Sequence, residues 1–210
     1  MKRLAILGAS GHGKVVADCA ELCGWESVSF FDDAWPKLTQ NGPWPVVGDS
    51  ASLLQNAGNF DGVVVAIGNN RIRQLKQREL AAAGASLIPV IHPSAIVSTH
   101  AMVGCGSVVF PNAVINACAV IGEGCIVNTG AVVEHDSVLG DFAHVSPNAV
   151  LAGGVRLGSL SWVGACASVR QLVEVGNEAM VGMGAVVTRD VPPSVTVIGN
   201  PARIFEPSKR

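Results

Sequence analysis

Two groups of residues in this chain could do chemistry. The first is Glu134-His135-Asp136, a charged triplet in an otherwise aliphatic stretch. A carboxylate beside an imidazole holds the ring in one tautomer and stabilises its protonated form, which suits His135 to general-base work with Asp136 as its partner. The second is Gly8-Ala-Ser-Gly11-His12-Gly13, which lies between the apolar run Leu4–Leu7 and a segment of helical spacing. Glycines at such a turn let backbone approach a phosphate, and the helix N-terminus behind them favours an anion. The spacing is GxxGxG, which weakens an NAD reading in favour of another nucleotide. Asp32 and Asp33 follow at the end of the next apolar run, where carboxylates can accept from ribose hydroxyls or a base N–H. Gly68 and Asn69, after a third such run, should face the same crevice. His12 reads either as a ligand contact or as a helix-start cap.

What positions the triplet is a repeat. An aliphatic residue recurs at every sixth position from Ile91 to Val187, and a small or β-branched residue sits four places after each, from Ala95 to Ala185. Neither a helix nor an ordinary strand has this period. Three hexads make one triangular coil of a parallel β-solenoid, with the aliphatic residue filling the prism and the small one near a corner. About five coils at about 4.8 Å each give a rod on the order of 25 Å long. Val133 points inward, so Glu134, His135 and Asp136 fall at an accessible corner. Residues one coil apart stack, which puts Gly153 against His135. Its N–H could donate to a developing oxyanion. His144 lies half a coil around, so it cannot easily share a site with the His135 of its own chain but could do so with that of a neighbouring chain.

The first 88 residues lack the hexad. They alternate strand and helix: Leu4–Leu7, a helix from Lys14 to Cys23, Val28–Phe31, a short helix capped by Asp49 or Ser50, Val63–Ile67, and a helix from Arg71 to Ala83. Residues 34–48, with Pro36, Pro43 and Pro45, read as a loop. The expected domains are therefore an α/β unit at 1–88, a β-helix at 89–191 after Pro89 and Pro93, and a tail at 192–210 after Pro192-Pro193.

Composition excludes several classes. The net charge is -2 over 210 residues, so no basic footprint argues for nucleic acid. The longest apolar runs are too short to cross a bilayer, and Met1-Lys2-Arg3 with Leu4–Leu7 is too short for a signal peptide. The 6 cysteines form no CxxC pair and read as reduced thiols of a cytoplasmic protein, with Cys125 in a small-residue slot. At 49% hydrophobic and 14% charged, the composition fits a rod whose flat sides are partly covered by other copies.

The hexads with the Gly199-Asn-Pro-Ala-Arg203 segment resemble the β-helix of the hexapeptide-repeat acyltransferases. Joined to Gly8-Ala-Ser-Gly-His-Gly-Lys14, Glu134-His135-Asp136 and Phe142-Ala-His144-Val145, they are similar over essentially the whole chain to the sialic acid O-acetyltransferase and bacillosamine N-acetyltransferase family. The resemblance implies a Rossmann-like α/β domain followed by a left-handed parallel β-helix. It implies a homotrimer with acetyl-CoA between adjacent β-helices, no metal, and a nucleotide-activated sugar held by the N-terminal domain. On matching positions His135 is the base and Asp136 its partner. His144, the Gly153 amide and Ala165 contact acetyl-CoA, and Ser10, Gly11, His12, Asp32, Asp33 and Asn69 line the nucleotide site.

The expected activity is acetyl transfer to the amine of a UDP-linked 4-amino-sugar for surface glycan synthesis. Sialic acid O-acetylation is the alternative, since the same imidazole could deprotonate a hydroxyl. A metal-dependent hydratase would need three convergent histidines with HxxxxH spacing, a pattern the sequence lacks. A non-catalytic sugar-nucleotide scaffold would leave the charged triplet unexplained.

Overall fold

The structure is a computed structural model that describes residues 2–206. It divides into two compact units. One runs to Pro93 and also takes in Cys105–Val108; the other comprises Ser94–Gly104 and the chain from Val109 onward.

In the first unit, β1 (Arg3–Leu7) is followed by α1 (Gly11–Leu22), β2 (Ser27–Phe31), β3 (Gln40–Asn41), β4 (Trp44–Gly48), α2 (Ser50–Asn56), β5 (Gly62–Val65) and α3 (Asn70–Ala82). The sheet order is β3-β4-β2-β1-β5. β1 is an interior strand, parallel to β2 on one side and β5 on the other. That makes β1/β5 the point where the strand order reverses, and ligands of open α/β sheets bind outside the strand ends there. Leu4, Ala5, Ile6, Val63 and Val64 are fully buried, as apolar runs covered on both faces should be.

One expectation is corrected. Residues 34–39 are irregular as expected, but 40–48 are not a loop: β3 and β4 pair antiparallel across a turn at Gly42 (φ 68), and β4 adds parallel to β2. The prolines suggested a loop because Pro removes a ladder donor. Here Val46 and Gly48 face inward, and Val46 is only 4% exposed, so packing of that face keeps the strand in place.

The second unit is the β-solenoid. Up to Val186–Val187 its strands are two residues long and pair parallel at a constant offset of eighteen, as in Val114↔Val132↔Val150↔Ser168. Three sheets form its sides. The hexad aliphatics fill the prism, with Ile115, Val127, Val133, Val145, Leu151 and Val163 all at 0% exposure. From Ser107 to Ala185 the small series is equally buried, Cys125 included.

The corners follow a rule that residue types conceal. From Gly106 to Gly184 every sixth residue has left-handed backbone, including Asn112, Cys118, Asp136 (φ 61), Phe142, Leu160 and Glu178. This conformation costs roughly 1–2 kcal/mol for a non-glycine residue. Amide bonds to the coil below offset it, among them Asp136 N–H to Ala117 O (3.1 Å) and Phe142 N–H to Glu123 O (2.7 Å). Past Pro192-Pro193 the chain adds one more parallel pairing, Met180↔Thr196. It then folds back antiparallel through Ile198↔Arg203, which covers an otherwise open sheet edge.

Candidate active site

The triplet sits where the repeat requires. Val132–Val133 ends one side of the prism, Glu134 to Ser137 turn the corner, and Val138–Leu139 begins the next side. Ser137 is buried beneath, leaving His135 and Asp136 exposed, with side chains 63% and 66% accessible. The left-handed backbone of Asp136 brings its carboxylate back to its neighbour: Oδ2 lies 2.8 Å from His135 Nδ1. With the proton on Nδ1 donated to that carboxylate, Nε2 is left with a lone pair for a substrate proton. The Asp136 hydrogen bond, with its negative charge, raises the pKa of His135 above the ordinary imidazole value.

The imidazole lies over the next coil. Gly154 N–H donates to His135 O (2.9 Å), and a Cβ placed on Gly153 would stand 2.7 Å from both Cε1 and Nε2 of His135. Only glycine leaves the ring where it is. Gly153 is therefore brought against His135, as the stacking of coils requires.

His144 is on a different side of the prism, in the His144–Val145 strand, and is 7% exposed. Its ring is stacked on Trp162, with centroids 4.9 Å apart and planes at 17°. The Trp162 indole N–H donates to Ser146 Oγ (2.7 Å). Ala165 lines an apolar cavity of about 230 Å³ next to Trp162, with Pro147, Met180 and Met183. The bond from Trp162 to Ser146 crosses from one coil to the next and has no local signal in the sequence.

In the first unit a crevice of about 200 Å³ opens at the strand-order reversal, lined by Gly8, Ser10, Asp32, Asp33, Gly68 and Lys76 among others. The glycines of the turn divide in purpose. Gly8 has φ 110, and a Cβ there would stand 2.8 Å from Ala66 O; a Cβ on Gly13 would collide with Gly8 O. The fold itself demands these two. Gly11 has open space where its Cβ would be, and Ser10 holds the N-cap position of α1 without a side-chain capping bond. The first turn of α1 thus presents its N-terminal amides outward.

The two aspartates are held by the chain's own donors. Asp32 accepts from Ala9 N–H (2.8 Å) and Ala34 N–H (2.9 Å), and Asp33 Oδ1 accepts from both the hydroxyl and the amide of Ser50. The Ser50 hydroxyl and amide, with a smaller contribution from the Lys76 charge, hold Asp33 below the usual carboxylate range. Asn69 caps α3 by accepting from Ile72 N–H (3.1 Å), and neither it, Gly11 nor His12 is part of the crevice wall. Burial, and then the positive charge of Arg73, lower the pKa of His12 to about 4, so it is neutral at pH 7. Arg73 is 1% exposed and donates to the Ile67 and Gly68 carbonyls, fixing that rim of the crevice. Neither Lys76 nor Arg73 carries a local signal in the sequence, since both lie within a helix that also holds Arg71, Arg78 and Glu79.

Among the described residues no group of three or more His, Cys, Asp or Glu side chains is arranged to hold a metal ion. None of the six cysteines forms a disulfide, and among the described residues no helix is long and apolar enough to cross a membrane.

Known proteins match this architecture. Residues 3–80 match the family described as the PglD N-terminal domain. UDP-N-acetylbacillosamine N-acetyltransferase of Bacillus subtilis is 37% identical over 111 residues, and that match spans about half of each chain, 51% of this one and 51% of the relative. Two solved structures match throughout. The acetyltransferase domain of PglB from Neisseria gonorrhoeae, solved with acetyl coenzyme A, is 42% identical with a TM-score of 0.94, covering 97% of this chain and 99% of that one. PerB from Caulobacter crescentus, solved with CoA and GDP-perosamine, is 40% identical with a TM-score of 0.93, covering 98% of each chain.

Proposed function

Since this chain belongs to the hexapeptide-repeat acyltransferases, with an N-terminal α/β unit and a left-handed β-helix like those of PglB and PerB, we propose that it moves an acetyl group from acetyl-CoA to the amine of a nucleotide-linked 4-amino-sugar, the UDP sugar foremost. The observation that carries the reading is the His135 ring, bonded through Nδ1 to Asp136 and seated over the bare backbone of Gly153. The relatives named by substrate act on, or are solved with, bacillosamine and perosamine nucleotides, and both named activities are N-acetylations. That favours an amine over a sialic acid hydroxyl as acceptor.

The proposed chemistry is direct. The sugar amine attacks the thioester carbonyl while His135 Nε2 takes its proton. The Gly153 amide donates to the oxyanion of the tetrahedral intermediate. Collapse breaks the C–S bond, and the departing thiolate takes the proton that the His135 imidazolium carries, which returns the ring to its neutral form. Asp136 holds the ring and stabilises the imidazolium throughout. The nucleotide occupies the crevice, with its diphosphate at the amides of α1 and at Ser10 and Gly11, and with Asp32, Asp33 and Lys76 around the ribose and base.

The donor side comes from a second copy. His135 occupies a corner, while His144 and Ala165 belong to another side of the prism. One sheet presents Ile96, Val114, Val132, Val150 and Val186 outward in register, with Ile96 67% exposed, a face suited to self-association as a homotrimer.

The test is thiol release from acetyl-CoA with UDP-, GDP- and dTDP-linked 4-amino-sugars and with free sialic acid. The reading requires at least one nucleotide-linked amine to exceed sialic acid in kcat/KM. Equal or better use of sialic acid would overturn it.

A further inference from the structure

His144, Trp162 and Met180 stand in register on successive coils, facing outward from one side of the prism. Packing of the prism does not call for an indole there, since the inward neighbour Val163 already fills that layer at 0% exposure. Yet Trp162 is fixed in two ways. Its face lies against the His144 imidazole, and its edge donates to Ser146 Oγ. On the next coil below, Asn128 Nδ2 approaches His144 Nε2 at 3.4 Å. The other surface of the indole is a wall of the apolar cavity formed with Pro147, Gly164, Ala165, Met180 and Met183. A Cβ on Gly164 would stand 2.7 Å from Met183 N and 2.8 Å from Val181 O, so glycine there lets the next coil close down on this one beside the ring.

An imidazole on a two-residue strand would otherwise choose among several rotamers. The stacked indole selects one, and the same indole shapes the cavity next to it. One side chain therefore couples the orientation of His144 to the walls of an apolar slot.

We propose that Trp162 is the positioning residue of the acetyl-donor site, holding the His144 ring in plane and walling the slot that takes the apolar arm of the thioester donor. This rests on the reading that His144 contacts acetyl-CoA. Trp162 touches the donor's path but does none of the proton transfer, so its signature is a change in donor affinity that leaves acceptor affinity alone.

Three variants separate the contributions. Trp162→Phe keeps a ring against His144 and loses the bond to Ser146; Ser146→Ala removes the same bond from the other end. Both should raise KM for acetyl-CoA about 2–5-fold. Trp162→Leu loses stacking and hydrogen bond together and should raise it about tenfold or more. KM for the sugar nucleotide should stay within about twofold in all three. Acetyl-CoA should also change the tryptophan emission of the wild type, and that change should vanish in Trp162→Phe. If Trp162→Leu does not fold, the Phe and Ala variants decide.

An unchanged KM for acetyl-CoA, an equal rise for both substrates, or an emission change that survives in Trp162→Phe would overturn the assignment. Calorimetry on the wild type separates this failure from that of the parent reading. Acetyl-CoA binding with a donor KM insensitive to Trp162 removes only the positioning role, whereas no acetyl-CoA binding at all removes the acetyltransferase reading as well.

Discussion

Replacing Gly153 by alanine isolates the catalytic corner from the fold. A methyl at that position would stand 2.7 Å from Cε1 and Nε2 of His135, well inside contact distance, so one of the two must move. The backbone of Gly153 is tied to the next coil through Leu172 N–H (3.0 Å), while the imidazole is the far end of a side chain 63% exposed to solvent. The ring swings outward. The energetic cost to the fold is small, since an exposed ring loses little packing, and should stay below about 1 kcal/mol, or about 2–4 °C in Tm for a chain of this size. The cost to catalysis is large. The displaced ring leaves its 2.8 Å bond to Asp136 and moves Nε2 away from the acceptor amine. A misplacement of about 1 Å can cost on the order of a hundredfold, so kcat/KM should fall about a hundredfold at nearly unchanged Tm. The assay pairs thiol release from acetyl-CoA with a thermal melt of the same preparation. Wild-type kcat/KM in a folded Gly153→Ala protein would refute the placement of His135 as base. A Tm drop far beyond 4 °C would refute the claim that the ring, rather than the coil, yields.

Two further predictions concern protons. A base must be neutral to accept one, so kcat/KM should fall as pH drops through the raised pKa of His135. In Asp136→Asn the raising hydrogen bond to a carboxylate is lost and that acid limb should move to lower pH, while His135→Ala should remove the limb and lower kcat by roughly two to four orders of magnitude; a limb unmoved in Asp136→Asn would contradict the pairing. His12 titrates at about 4 in the folded chain against about 6.5 unfolded, so the native state binds fewer protons between those values. The stability His12 contributes is complete above about pH 6.5 and is lost as pH falls towards 4, by at most about 3 kcal/mol. Denaturant melts of wild type and His12→Gln across that window should converge in acid, and parallel curves would show that His12 is not the group responsible.

Legibility in the sequence tracked how strongly geometry constrains residue type. The inward hexad position admits only aliphatics, so the solenoid, its coil length and the seating of Gly153 against His135 could be read directly. The left-handed corner position holds Gly, Asn, Asp, Cys, Phe, Leu and Glu alike, because ladder bonds to the coil below offset its strain, and so it carries no compositional signal. β4 was hidden by Pro43 and Pro45, whose missing donors usually exclude a strand, although the inward face of Val46 decides the matter. The crevice residues divide similarly. Asp32 and Asp33 are conspicuous at a strand end, but that backbone amides already occupy both oxygens of Asp32 is visible only in three dimensions. Lys76 belongs to a helix with charges on most turns, and nothing local distinguishes it from its solvated neighbours.

The two histidines of the second unit differ in a way that bears on assembly. His144 is 7% exposed, stacked and hydrogen-bonded into place, whereas His135 stands open on a corner with only Asp136 to hold it. A general base in bulk water gains little from its neighbours, because charges at high dielectric are weakly coupled. On the proposed roles, the donor side is preformed within one chain and the acceptor side is finished only when something covers the corner. If a second copy provides that cover through the outward ladder of Ile96, Val114, Val132, Val150 and Val186, catalysis and association are coupled. Dilution through the dissociation range should then lower kcat itself at saturating substrates, in step with the loss of the oligomer seen by sedimentation. Val132→Lys, which places a charge in the middle of that ladder, should bring the loss to higher protein concentration. A monomer in sedimentation that retains the full kcat would show that one chain completes the site unaided, and would end the argument for a shared one.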